Sequence, residues 1–480
     1  MCTPGVWSRL FHTYYVKGKS GFENNKVMGH ASMMKDIQSQ PKSQAQHKRK
    51  NWIVLFLSCF ALLGLLVVRD LLDYSIHKFV FVALCTFVFI ILPLEDMVAF
   101  LCMLFPLSCG LPGTYIYLIA YVILVIKRRG KLNAWQFIVP IAIILQEIFL
   151  CFWYPELEIA NLVHYGSCLL ILFFFVLDYP YKYEYKKALF LFSIGTCFML
   201  IVILLVTLRD FTIENFLTGY ARLGYVGEIT GIDKEAMRLS NNSNNLAYYA
   251  LVSIASLLVL LKAKMNILWK IISLPMIAIC ALIGIMTVSR AFALGLAIII
   301  GYYIISNLKV KKENLLVLMV VFIGLIGAYY FLQQHPEVIK SFTKRFTSTK
   351  VAKNTIDDAR VEIIKDYWLF MNEKMFRFTF GIGTMPTEYM TGFIKALHNG
   401  TEQIFVSYGV VGFVYIICSL FTPVLVQLRR RSLSFCFFTP LIAVVFFVQT
   451  IQFLNPFELM MPYIIGVFAL QLNQFKAKTK

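Results

Sequence analysis

Charge is scarce in this sequence. Of 480 residues only 15% are Asp, Glu, Lys or Arg, against roughly 25% in an ordinary soluble domain. Hydrophobic residues make up 59%, the mean hydropathy is +0.72, and several stretches run about 18 residues or more without a charge. Together these exclude a soluble globular protein and a disordered chain. Paired cysteines with metal-ligand spacing are missing. Ten of the eleven Cys lie within or at the edges of apolar segments, with Cys2 in the leading tail. A secreted disulfide scaffold is thereby excluded, and the cysteines read as small apolar packing residues. The first 50 residues have no apolar core, so no cleavable signal peptide is expected. There is no Walker-type phosphate loop, no dinucleotide glycine pattern, no Asp-x-Asp pair in the long loops and no internal repeat. Nothing suggests an ATP-driven or metal-dependent enzyme, and no cofactor or metal is expected.

What remains is an all-α, polytopic integral membrane protein. Apolar runs of spanning length predict helices over 51–68, 79–94, 113–126, 135–152, 159–177, 188–208, 246–262, 267–287, 291–306, 315–332, 404–427, 434–452 and 459–473. A shorter run, 97–109, is either a short span or a re-entrant piece. Counting it as a span gives about fourteen crossings.

Basic residues decide the orientation. Net charge is +19, and residues 1–50 hold nine basic side chains against two acidic ones. With fourteen crossings this tail, Lys127-Arg128-Arg129, Lys182 to Lys187, Lys262-Lys264, Lys309-Lys311-Lys312, Arg429-Arg430-Arg431 and Lys476 to Lys480 all fall on one side, which is cytoplasmic by the positive-inside rule. Both termini are then cytoplasmic. No basic face on a folded domain is visible, so nucleic acid is not expected as a partner. Anionic lipid headgroups are.

The expected organisation is a basic tail (1–50), N-terminal spans (51–208), an outer loop (209–245), further spans (246–332), a large outer loop (333–403) and C-terminal spans (404–480). Within the second loop, Val361, Ile364, Trp368 and Phe370 recur at roughly helical spacing in Thr355–Met371, predicting a helix that lies on the outer membrane surface.

Three outward features carry chemistry. Ser289-Arg290 interrupts some forty otherwise apolar residues, and arginine at mid-bilayer costs about 2.5–3.5 kcal/mol on insertion scales. It either marks a hairpin turn and snorkels to headgroups, or forms a rim cation that clamps an anionic substrate. Exterior turns generally avoid Arg, which weighs against the first reading. His398-Asn399 precedes a helix start. Histidine is the usual base near neutral pH and helix starts attract anions, but the pair also suits plain capping. The third feature is a cationic set, Arg222, Arg238, Arg345, Arg360 and Arg377. Arginine grips phosphate in a bidentate fork, yet most loop arginines are merely solvated. Arg360 stands out because it lies on the expected amphipathic helix. Glu95 and Asp96 fall at the cytoplasmic end and are expected to pair with Lys or Arg. Glu147 is an acidic group inside a span.

Thr287-Val288-Ser289-Arg290-Ala291-Phe292-Ala293-Leu294 resembles the T-x-S-R-x-x-x-L helix start of the bacterial O-antigen ligase/polymerase superfamily. His398-Asn399, followed after Tyr408 by Gly409-Val410-Val411-Gly412, resembles that family's H-N … G-x-x-G passage. Asp358-Ala359-Arg360 and Phe380-Gly381-Ile382-Gly383 resemble its G-R … f-G-x-G elements, and Asn244-Asn245-Leu246-Ala247 its p-N-x-x-A helix start. The resemblance covers roughly 240–415, with the elements in family order.

The resemblance implies a membrane glycosyltransferase of the GT-C-like kind, in the bacterial cytoplasmic membrane, acting outside on glycans carried by undecaprenyl diphosphate. It implies that Arg290 and Arg360 stabilise the leaving diphosphate and that His398 handles the acceptor hydroxyl's proton. Asn245 and Asn399 hold sugar hydroxyls or the helix end, and Ser289, Arg238 and Arg345 are further substrate-binding candidates. A repeat-unit polymerase is favoured over a ligase that moves finished glycan, because the Phe-, Tyr-, Lys- and Asn-rich composition suggests an AT-rich genome, many of whose bearers lack lipopolysaccharide. A flippase for lipid-linked sugars stays open as a different class. A flippase and a chain-length regulator of the same pathway are candidate partners.

Overall fold

The computed structural model describes residues 40–128, 132–154, 160–178, 183–217, 223–224, 239–263, 266–307, isolated positions between 319 and 343, and residues 357–384, 397–429, 434–454 and 456–472. The chain divides into two units, Met1–Ile53 and Val54–Lys480. In the first, only the opening turns of a helix are described.

Among the described residues there is helix and no strand. In chain order the main helices are α1 (Gln40–Asp70), α2 (Lys78–Ile91), α3 (Leu94–Leu107), α4 (Gly113–Arg128), α5 (Trp135–Trp153), α6 (Ala160–Val176), α7 (Tyr185–Thr207), α8 (Ser243–Lys262), α9 (Ile267–Met286), α10 (Arg290–Ser306), α11 (Asp357–Asn372), α12 (Met375–Phe380), α13 (Gly400–Leu428), α14 (Thr439–Val448) and α15 (Pro462–Gln471). Six described helices are long and apolar enough to cross a membrane: α1 from Asn51, α5, α7, α8, α9 and α13. The expected span 315–332 lies almost wholly outside the described residues, so the count of fourteen is not reached from them. The basic tail, Lys309-Lys311-Lys312, Arg430-Arg431 and Lys476 to Lys480 lie outside them as well.

Helix α8 sits at the centre. Every residue in it except Asn244 and Lys262 is buried, as expected of a helix apolar on all faces. It packs against α7, α9, α10, α14 and α15, with Ala247, Ala250, Ser253 and Ser256 keeping its surface small. The short run expected over 97–109 is α3, which packs chiefly on α7. At 14 residues α3 is only about 21 Å long, less than the roughly 30 Å hydrocarbon core. Lipid does not set its length, because residues Asp96 to Leu107 are all buried in protein. The runs expected as 434–452 and 459–473 are shorter than anticipated. Each opens with a 3-10 turn (Phe435–Phe438, Phe457–Met460) and continues as a ten-residue helix begun at a proline. All ten residues of α15 are buried, so this helix too is covered by neighbours rather than by lipid.

Polar contacts gather at two ends. At one, Lys187 bonds Asp96 (2.7 Å), Arg128 pairs with Asp178, which also accepts from Tyr183, Lys127 bonds the carbonyl of Ile90 (3.0 Å) and Lys262 bonds Asn307. The expected pairing of Asp96 with a cation is thus present. At the other end Arg69 binds Asp70 and the carbonyl of Gly110 (2.5 Å), and Arg209 bonds Asp73 (2.8 Å). Asp96 and Gly110 bracket α3, and Lys187 and Arg209 bracket α7. Helix α3 therefore runs from one polar end to the other.

Helices α3 and α7 touch backbone to backbone at Gly195, where a Cβ would overlap the carbonyl oxygen of Met103. We expect Gly195→Ala to lose about 1–3 kcal/mol by overpacking. Gly64→Ala, whose Cβ meets nothing within 4 Å, leaves stability equal or improved. Thermal unfolding of the detergent-solubilised variants, read by fluorescence size exclusion, measures the difference.

Candidate functional site

The Thr287-Val288-Ser289-Arg290 stretch is the reversal between α9 and α10. Thr287 Oγ1 donates back to the Gly284 carbonyl (2.6 Å). Val288 then turns with φ +49°, a left-handed conformation that a β-branched residue adopts only under constraint. Ser289 caps α10, its Oγ accepting from Phe292 N (3.4 Å) and donating to Asn244 Oδ1 (3.2 Å). Asn245 in turn donates its side-chain amide to Asn241 Oδ1 (2.9 Å). The Ser-Arg turn and the Asn244-Asn245 helix start, 45 residues apart, are thus one hydrogen-bonded unit. Ser289 and Asn245 are scaffold in it, both buried.

Arg290 is the first residue of α10 and half-exposed. Among the described residues it has neither an ion pair nor a hydrogen-bond partner. A cation at a helix N-terminus opposes the macrodipole by some 0.3–1 kcal/mol, so its position is not a capping solution. Its guanidinium and the free N–H groups of the first turn together favour an anion.

His398 is exposed, following buried Leu397. Asn399 caps α13, its Oδ1 accepting from Thr401 N (3.0 Å) and Glu402 N (3.3 Å). Glu402, on the first turn of α13, is half-buried, and its Oε2 has no partner among the described residues. The helix start rests on the end of α14. Gln449 bonds Thr401 (2.7 Å), Gln403 accepts from Phe453 N and Leu454 N (2.8 Å each), and a Cβ on Gly400 would press on Val448 and Phe453. The same end of α14 meets the Ser-Arg unit, through Phe446 against Gly295 of α10 and Phe447 against Tyr248 of α8. Both motif regions are built around one helix end.

Helix α13 is itself broken beyond its first turns. Helix α13 kinks at Gly409 (φ 62°, ψ −168°), and Gly381 has a matching conformation (φ 81°, ψ −165°), both in a region open essentially to glycine alone. The Gly381-Ile382-Gly383 strip docks on the break. Ile382 N donates to Val406 O (3.1 Å) and Gly383 N to Ser407 O (2.9 Å). Gln146 of α5 donates to the carbonyls of Phe380 (2.7 Å) and Tyr408 (3.0 Å) and accepts from Tyr415 (2.8 Å). Glu147 accepts from both Thr384 N (2.8 Å) and Thr384 Oγ1 (2.7 Å).

The helix expected over 355–371 is present as α11. Tyr367 and Met371 are buried with Ile382, Leu397 and Val406, and Ile363, Phe370 and Phe405 pack against them. Ile364 and Trp368 are exposed, while α11 packs on the start of α13. Arg377 is engaged locally, stacked over Phe370 (3.8 Å) and paired with Glu373 (3.2 Å). The backbone of Arg360 lies in α11. Its side chain, that of Val361, and all of Arg222, Arg238 and Arg345 lie outside the described residues.

Sequence reasoning missed two polar groups at this end. One is Glu402, three residues after Asn399 on the first turn of α13. The other is a cavity of 420 Å³ bounded by Asn241, Thr114, His164, Glu458 and Lys78. His164 joins Glu458 through Nε2 and Thr114 through Nδ1, at 2.8 Å each. His164 and Glu458 are far apart in sequence and carry no local signal.

We expect Gly381→Ala to lower the unfolding midpoint, since its Cβ would overlap the Ser407 carbonyl, whereas Gly301→Ala, with open space around it, gains the helix propensity of alanine, up to ~1 kcal/mol. Paired melts in detergent test this.

No curated protein matches the chain. Residues 275–417 match the family model described as O-antigen ligase, a stretch that holds the Ser-Arg turn, α11, the Gly381–Gly383 strip, His398-Asn399 and the kink. That match, on an all-helical chain with six membrane-length apolar helices, supports the O-antigen ligase/polymerase superfamily for this protein.

Proposed function

We propose that the protein is a membrane glycosyltransferase that joins undecaprenyl-diphosphate-linked repeat units into a surface polysaccharide on the outer face of the bacterial cytoplasmic membrane. The observation that carries this reading is Arg290. It is a half-exposed cation without a described partner, fixed by a hydrogen-bonded turn at the polar end opposite Lys127, Lys187 and Lys262. The positive-inside rule makes the lysine-bearing end cytoplasmic, and the Arg290 end then faces outward with both termini inside.

Outside the cell no nucleotide sugar is at hand, so a pre-activated lipid diphosphate drives transfer. The acceptor hydroxyl attacks the anomeric carbon, the carbon–oxygen bond to diphosphate breaks, and the diphosphate leaves with the electron pair. Arg290 and the N-terminal N–H groups of α10 receive that charge, with Arg360, Arg238 and Arg345 as further cations. Removing one such preorganised contact typically costs about 10²–10³ in rate. His398 at the mouth takes the acceptor proton, and Asn399 sets its place by fixing the start of α13. The polymerase reading rests on the same composition argument as before. Ligation of finished glycan uses the same geometry and differs only in the acceptor.

In a producer strain deleted for the gene we expect single lipid-linked repeat units to accumulate. Wild type restores the ladder of long chains, while Arg290→Ala and His398→Ala leave it absent at normal protein level. Full-length glycan left on lipid identifies a ligase, and repeat units trapped on the cytoplasmic face identify a flippase.

Sidedness has its own test. In a background without reactive native thiols, a Cys at position 350 is expected to react with an impermeant thiol reagent in intact cells, and one at position 430 is not. The reverse pattern overturns the orientation.

A further inference from the structure

The cavity bounded by Thr114, His164, Asn241 and Glu458 takes no part in the steps above. We propose that it seats the terminal sugars of the acceptor glycan, the end that brings the attacking hydroxyl, as a polyhydroxyl-binding subsite separate from that of the lipid diphosphate. This rests on the transferase reading.

The lining chemistry points to sugar. Its 420 Å³ falls in the range of about 300–1,000 Å³ typical of small-molecule sites. Both nitrogens of His164 are spent on Thr114 and Glu458. The imidazole is therefore a brace, and the groups left for a ligand are its partners: the second carboxylate oxygen of Glu458 and the remaining valence of the Thr114 hydroxyl. Asn241 uses its side-chain oxygen on Asn242 N and Asn245, and no hydrogen bond among the described residues uses its amide nitrogen. The cavity thus offers fixed acceptors and donors side by side, which is what vicinal hydroxyls require. Leu111, Pro112 and Leu459 supply apolar wall for the C–H face of a ring. A diphosphate fits poorly, because the ammonium of Lys78 is offset by the Glu458 carboxylate and no arginine among the described residues lines the cavity.

Position agrees. Asn241 on the cavity wall holds Asn245, the neighbouring Asn244 holds Ser289, and Ser289 caps the helix that begins with Arg290. The cavity and the diphosphate cation are thereby joined through one turn of α8. The brace also explains why Glu458, in the 3-10 turn before α15, faces α6 across 294 residues of sequence.

The test uses the full chain in nanodiscs. The substrate is undecaprenyl-diphosphate-linked repeat unit from the deletion strain. Two competitors are used: the same repeat oligosaccharide released from its lipid, and inorganic pyrophosphate. Gly113→Ala adds a methyl 3.4 Å from the His164 ring and 3.7 Å from Glu458 Oε1, ordinary contact distances, so the fold is kept while the cavity narrows. Glu458→Gln keeps shape and removes charge. We expect both variants to raise KM and the inhibition constant of the free oligosaccharide about tenfold. kcat holds within about twofold, and inhibition by pyrophosphate is unchanged. Arg290→Ala, which is inactive, shows the converse in direct binding by calorimetry, with pyrophosphate bound more weakly and the free oligosaccharide bound as in wild type. Unchanged oligosaccharide inhibition in both cavity variants overturns the proposal, as does a fall in kcat alone. If the wild-type protein makes no product, the transferase reading fails. The cavity is then judged by saturation-transfer NMR with the free oligosaccharide: signal lost in Gly113→Ala sustains the site, and no wild-type signal sinks it.

Discussion

A helix that breaks inside an apolar bundle frees backbone carbonyls that no water can solvate, each at a cost of several kcal/mol. The break in α13 at Gly409 imposes that constraint on everything around it. The carbonyls of Val406, Ser407 and Tyr408 need donors, and they receive them from Ile382 N, Gly383 N and Gln146. Supplying the first two requires the stretch from Gly381 to Gly383, before α13, to lie flat on the break, which is possible only because Gly381 and Gly409 can pass each other without a Cβ. The loop is thereby anchored at Thr384 by Glu147, and α11 finds its apolar partners in Ile382, Leu397 and Val406. The start of α13, with His398 and Asn399, is held by the same assembly.

The polar pairs at the two ends follow from the same scarcity of water. Arg69 is buried and satisfied by Asp70 and the Gly110 carbonyl, and Asp178 is buried and bonded by both Arg128 and Tyr183. Breaking such a pair on one side costs about 3–5 kcal/mol. They add little as ion pairs, but they fix the register in which neighbouring helices end. This lets very short helices such as α3 and α15 reach between two polar ends while enclosed by protein.

Helix positions were largely legible because membrane-length apolar runs announce themselves, and the described helices keep close to the expected bounds. The motif residues were legible too, since Ser289, Arg290, His398 and Asn399 are polar groups interrupting apolar sequence. What could not be read is whatever depends on distant partners. Ser289 meets Asn244 only through the fold, and Gln146 has no local feature that assigns it to the carbonyls of Phe380 and Tyr408. The amphipathic pattern of α11 allows either a lipid surface or a protein partner to cover a given face. Tyr367 and Met371 take the protein side.

The Ser-Arg turn shows how strain and function meet. Val288 in a left-handed conformation costs of order 1–3 kcal/mol, and Arg290 at the start of α10 works against the helix dipole. Either burden alone would be removed cheaply by a glycine or a polar neutral residue. Both persist in a turn over-determined by Thr287, Ser289 and Asn244, which hold the backbone whether or not an anion is bound. On the proposed function the result is a cation that needs no reorganisation when charge develops beside it, and preorganisation of that kind lowers a barrier rather than merely tightening binding. Arg69 and Arg128 are neutralised by buried carboxylates, and Arg377 by Glu373 at the surface. Arg290 alone among these four is left without such a partner in the described residues, and that contrast separates the arginine available for chemistry from those that hold the fold.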